Sequence, residues 1–192
     1  MSAVEPIPLP AAPPRDRRWF PVVGVAALIV AVVSGGYLVA DALGEPAAGT
    51  IDVGEAVRVT PQPGWELVER FQSPVGIRLT NGSGNLDVAT TPFTGTDIDL
   101  LVDYVESVLE PDAKQLQVSG DVEAVPVGSG LTGARIAYVG LFGDVQAPIE
   151  GTVTATVSPT GSGVVFDGWA PQGQLRFAAD DIEAMIRSTE IA

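Results

Sequence analysis

Cysteine and histidine are both absent from this 192-residue chain, and lysine occurs once, at Lys114. Without cysteine there is no disulfide, no thiolate nucleophile, no thiolate-held zinc and no lipoprotein attachment point. Without histidine, the commonest general base at neutral pH and the commonest zinc ligand are both missing. A serine nucleophile would then need a lysine or a carboxylate to activate it, and no Gly-x-Ser-x-Gly elbow occurs. The Gly-rich pieces at 82–84 and 161–163 have no lysine in place for a phosphate cradle and read as hairpin turns. These absences predict a non-catalytic protein without cofactor or metal.

Aromatic residues are scarce at 6%, while 22 Gly and 16 Pro favour short strands joined by many turns. Acidic residues outnumber basic ones, for a formal charge of −14. The imbalance is regional. Residues 1–18 carry Arg15, Arg17 and Arg18 against Glu5 and Asp16, whereas residues 51–192 hold seven basic and twenty acidic side chains. Such a domain repels phosphate backbones, so nucleic acid is not an expected partner. The acidity itself serves solubility.

Phe20–Ala40 is a run of 21 residues without a charge. As a helix rising ~1.5 Å per residue, it matches a hydrocarbon core of roughly 30 Å. Trp19 and Phe20 mark one interface and Tyr37 the other. Arg15, Arg17 and Arg18 precede the run, while Asp41 and Glu45 follow it, so the N-terminus is expected in the cytoplasm and the remainder outside. Residues 1–18 form a Pro-rich cytoplasmic tail, 19–40 a transmembrane helix in the lipid bilayer, 41–50 a linker, and 51–192 the extracytoplasmic domain. The protein is thus expected in the cell membrane as a single-pass species. Ala40-Asp-Ala42 also fits signal peptidase, so cleavage after Ala42 is an alternative that leaves the domain on the same side. Ala27, Ala31 and Gly35 form a small-residue stripe suited to helix–helix contact, the route to a homodimer.

Period-two alternation marks strands in the domain. Val153, Ala155 and Val157 are expected to face inward with Thr152, Thr154 and Thr156 outward. Ile136 and Tyr138 share a face, and the pairs Val57/Val59, Ile77/Leu79 and Leu86/Val88 flank Arg58, Arg78 and Asp87. Two segments have helical periodicity instead. Ile98, Leu101, Val102, Val105, Val108 and Leu109 make one stripe, capped by Thr96 or Asp97 and stopped at Pro111. Ile182, Met185 and Ile186 make another, over about 179–188. The fold class is therefore α+β, a mainly antiparallel sheet with two packed helices.

Val59-Thr-Pro-Gln-Pro-Gly-Trp65, followed by Ser73-Pro-Val-Gly-Ile77, resembles the opening hairpins of PsbP-like domains, including the LpqN-like proteins of actinobacteria. The order of elements over 55–192 is similar as well. That resemblance implies an accessory or binding role, with no functional residue carried over. Aspartates 97, 99 and 103, and the acidic group Asp180, Asp181 and Glu183, lack calcium-loop spacing and suit helix N-termini. Trp169, in Phe166-Asp-Gly-Trp-Ala-Pro171, is the candidate partner surface, with a core role as its alternative. The expected function is a membrane-anchored accessory or interaction module with a protein partner outside the membrane. A small-ligand or lipid-binding domain, with a pocket between sheet and helix, is the alternative, and a hydrolase comes third.

Overall fold

Turn chemistry divides the domain into strands short enough to pair with their sequence neighbours. The computed structural model describes residues 49–143 and 147–192. The tail, the expected membrane helix and the residues Arg15, Arg17, Arg18, Ala27, Ala31 and Gly35 lie outside them. Among the described residues no helix is long and apolar enough to cross a membrane.

Strands β1 (Ile51–Val53), β2 (Val57–Val59), β3 (Glu66–Gln72), β4 (Val75–Thr80) and β5 (Asn85–Pro92) come first. The β3–β4 turn is Ser73-Pro74, with a cis peptide bond between them. Asn81 closes the β4–β5 turn, its Oδ1 accepting from the amides of Ser83 and Gly84 at 3.0 and 2.9 Å. Helix α1 (Asp97–Tyr104) follows, then β6 (Ala113–Val118), β7 (Glu123–Pro126), β8 (Thr132–Phe142), β9 (Ile149–Val157) and β10 (Ser162–Pro171). Helix α2 (Ala179–Ser188) and β11 (Glu190–Ile191) complete the domain. An eight-stranded antiparallel sheet runs β3-β4-β5-β10-β9-β8-β6, with β7 also paired to β8, and a small sheet runs β1-β2-β11.

Thr96 caps α1 through a reciprocal capping box with Asp99, which satisfies two otherwise unpaired amides. The helical stripe does not end at Tyr104. A π-helical turn, Val105–Leu109, and a last α-turn, Glu110–Asp112, carry it past Pro111. Proline has no amide hydrogen to give an i−4 carbonyl, and a wider turn directly before it accommodates that loss.

The large sheet is covered on both sides. Leu100 and Leu101 of α1 pack on Ile136, Val153, Ala155 and Val165. The opposite face packs against α2 and the small sheet around Trp65, Phe166, Met185 and Ile186. This double cover corrects one expectation: Thr154 and Thr156 are fully buried, not turned to solvent. Their hydroxyls remain satisfied, because Thr154 Oγ1 accepts from Arg135 Nε at 2.9 Å and Thr156 Oγ1 donates to the Thr132 carbonyl at 3.1 Å. Helix α2 spans the expected residues and buries Ile182, Met185 and Ile186. It lies close to β10, because Gly168 leaves room for the Ile182 side chain.

Candidate functional site

Alternation along the strands places Arg78, Asp87 and Asp167 on the α1 side of the large sheet, and register makes them direct neighbours. Glu69 stands opposite Arg78, Arg78 opposite Asp87, and Asp87 opposite Asp167. The same row then turns apolar, with Val153 and Ile136 as its next members. That change follows the helix cover, since α1 packs on β8, β9 and β10. At the boundary between the covered and charged parts lies a cavity of about 290 Å³. Asp87 and Asp167 line its floor, Tyr104, Tyr138, Phe142 and Trp169 its walls, and the exposed Asp112 its rim.

Asp167 is 4% exposed and has no cation within ion-pair distance among the described residues. Two phenols serve it instead: Tyr138 donates to Oδ1 and Tyr104 to Oδ2, each at 2.9 Å. Burial pushes the Asp167 carboxyl up to about 7, and repulsion from Asp87 adds to that. The two phenol hydrogen bonds and Arg78 act in the opposite direction. Burial also raises both tyrosines far above their ordinary value, and the neighbouring Asp167 charge reinforces it. They therefore stay protonated and act as fixed donors.

Asp87 takes the local positive charge. Arg78 grips it in a fork, Nε to Oδ1 at 2.7 Å and Nη2 to Oδ2 at 2.8 Å. A bidentate, charge-assisted pair of this kind is strong and geometrically specific. Those hydrogen bonds hold the Arg78 guanidinium above its usual range. The same guanidinium lies 5.4 Å from the Phe71 ring centroid and 5.5 Å from that of Trp169, within cation–π reach. Space for the tyrosine comes from Gly151, which pairs with both Tyr138 and Trp169. A Cβ there would overlap the Tyr138 phenol and displace it from Asp167.

Trp169 is half-buried in the cavity wall, with Nε1 donating to Asp87 Oδ2 at 3.4 Å. Trp65 is in the core, where its Nε1 donates to Asp181 of α2 at 3.0 Å. The acidic groups noted in the sequence are apart from the cavity. Asp99 caps α1, and the Thr96 amide bonded to it holds its carboxyl below the usual range. Asp97 Oδ1 accepts from the Val157 amide at 2.7 Å, pinning the helix to β9. Glu183 bridges Arg135 and Arg187. No group of three metal-ligating side chains occurs among the described residues.

Sequence reading did not single out Asp167 or its pairing with Asp87. One signal was available: Asp167 interrupts the apolar strand Val164-Val-Phe-Asp-Gly-Trp169 at an inward position. A second surface feature is an apolar groove of about 240 Å³ beside α1. Ile98, Val102 and Val122 line it and are 53%, 47% and 48% exposed.

No family model matches the sequence, and no curated protein matches it. Solved structures do match. A protein of Bacteroides thetaiotaomicron aligns with a TM-score of 0.51 at 13% identity, covering 74% of this chain and 47% of that one. This chain therefore corresponds to about half the length of the Bacteroides protein. Cyanobacterial PsbP (CyanoP) from Synechocystis aligns with a TM-score of 0.50 at 17% identity, covering 78% of this chain and 95% of that one. Such identities speak to architecture alone, and the architecture is the one the opening hairpin motif resembled: the domain has a PsbP-like fold.

Proposed function

We propose that the chain is a single-pass membrane protein whose PsbP-like domain stands outside the cytoplasm as an accessory module that works by binding. The uncharged run Phe20–Ala40, the arginines at 15, 17 and 18 before it and the acidic residues after it support the anchor and its orientation. The small-residue stripe of Ala27, Ala31 and Gly35 supports pairing of two such helices. One observation carries the binding reading. Asp167 is an enclosed carboxyl with no ion-pair partner among the described residues, at the floor of an open cavity. Burying a charge in this way is costly to a fold, and such groups concentrate at functional sites. The phenols around it are locked as donors, which suits recognition better than nucleophilic chemistry. A charged floor does not suit an acyl chain, so a small polar ligand fits this cavity better than a lipid.

A second reading has its own observation. Ile98, Val102 and Val122 present apolar surface around one groove, which favours an accessory role at a protein partner. Two measurements test the scheme. In intact spheroplasts, added protease is expected to digest a reporter fused after Ala192, and a protected reporter overturns the topology. Protein taken gently from its native membrane is expected to release a small molecule on denaturation, detected by mass spectrometry. An empty cavity, together with protein adducts from a photo-crosslinker at Val122, moves the assignment to docking.

A further inference from the structure

The cavity at Asp167 combines three properties that select one chemical class. Its charged lining holds one guanidinium, Arg78, against the carboxylates of Asp87, Asp112 and Asp167. The guanidinium is already committed, forked onto Asp87 with Nη1 also 3.3 Å from Glu69. Asp167 therefore receives only neutral donors, one per oxygen, and each oxygen keeps a lone pair for a further donor.

The walls add the second property. Tyr138 and Phe142 meet edge to face, with centroids 5.9 Å apart and planes at 79°. Tyr104 and Trp169 line the same cavity. Aromatic faces attract cations, and they do so more strongly where water is excluded. The third property is size. A cavity of about 290 Å³ stands at the small end of ligand sites, which begin at roughly 300 Å³. Inorganic divalent cations want several oxygen ligands at once, yet Asp87 is occupied by Arg78. An organic ammonium needs one carboxylate and an apolar, aromatic surround, both of which the cavity supplies.

We propose that this cavity binds a small organic cation, with its ammonium head on Asp167 and its alkyl part against Tyr138, Phe142 and Trp169. The proposal rests on the reading that the cavity is a ligand site, and it adds the charge and class of the ligand. Groups facing Asp167 are Tyr104 above it, Tyr138 and Asp87 beside it, and Arg78 one strand further. Burial places the titration of Asp167 itself between pH 6 and 8. Deprotonation of Asp167 over that range strengthens cation binding as pH rises, by about tenfold for one linked proton.

The test is calorimetric titration of the full chain in a non-ionic maltoside detergent. The probes are butylammonium, tetramethylammonium, butanol, butyrate and magnesium. Butylammonium or tetramethylammonium is expected to bind, and more tightly at pH 8 than at pH 6, while butanol and butyrate do not. Asp167→Asn is expected to weaken the cation at least tenfold. Asp112→Asn, an exposed change that spares the core, is expected to weaken it severalfold, and Phe142→Leu likewise. Equal binding of butanol or butyrate at the cavity overturns the cationic assignment and leaves the ligand site standing. Displacement of the ammonium probes by magnesium overturns the organic class. Silence from every probe, in protein whose unfolding transition is intact, removes the cation proposal. Whether the ligand reading then survives is decided separately, by the release of a bound molecule from natively prepared protein.

Discussion

The two faces of the large sheet use the same strands for different ends. On the α2 side, β4, β5 and β10 contribute Ile77, Leu79, Leu86, Val88, Val164 and Phe166, all buried and apolar. One residue over on those same strands, the α1 side presents Arg78, Asp87 and Asp167. The first face stabilises the domain through packing. The second sets two acidic residues directly across from one another, an arrangement that costs stability once both are ionised. A sheet that is secure on one side can tolerate polar strain on the other, and that division separates holding the fold from using it.

The sharpest way to break this contrast is on the packing side. Phe166→Ala is expected to cost about 3–5 kcal/mol, read as a lower midpoint in urea unfolding with an unchanged slope. A loss below about 1 kcal/mol, set against that range, would mean the α2 face is not the stabilising one.

The next test concerns the strained side and pH. The folded domain keeps a proton on Asp167 up to about pH 7, against an ordinary value of 3.8. Between those values the folded state holds more protons than the unfolded state, so the Asp167 contribution makes stability fall as pH rises through the window. Asp167→Asn is expected to remove that part of the slope. The amide leaves one of the two phenols without an acceptor, so the variant is expected to be less stable than the parent at pH 4 and to close that gap as pH rises to 8. Parallel curves for parent and variant across pH 4–8 would contradict an enclosed carboxyl that titrates near neutrality.

The smallest effect belongs to the helix over the site. Thr96→Ala removes the capping box of α1 and is expected to cost about 1 kcal/mol. Faster amide exchange should be confined to the first turn of α1. Uniformly faster exchange would mean that the cap secures the whole helical layer.

Much of this architecture was legible because apolar alternation is a local property. Val57/Val59, Ile136/Tyr138 and Ile182/Met185/Ile186 could be assigned to faces from spacing alone, and all seven are buried. β6, with the sequence AKQLQV, and β7, with EAVP, carry a weaker pattern, because their side chains are exposed or only partly buried. Register between distant strands is not local either. Asp87 and Asp167 become neighbours only when β5 meets β10, and no short window of sequence contains both. Hence Asp87 looked like an ordinary outward residue between Leu86 and Val88. Trp169 drew notice as a large aromatic, while the carboxylate two residues before it did not.

The small sheet has a consequence of its own. Arg58, at the centre of β2, has Asp52 opposite it on one side and Glu190 on the other, and its guanidinium reaches both, at 3.1 and 3.8 Å. With neighbouring strands ~4.8 Å apart, the backbone at 52 and at 190 is separated by only about 10 Å. β1 and β11 run parallel to each other, so the sheet begins at its Thr50 end and meets Ala192 at the opposite end, beside Ala56. One arginine clasps the first described strand to the last, so that loosening β11 would also deprive β2 of a neighbour and unsettle the opening hairpin.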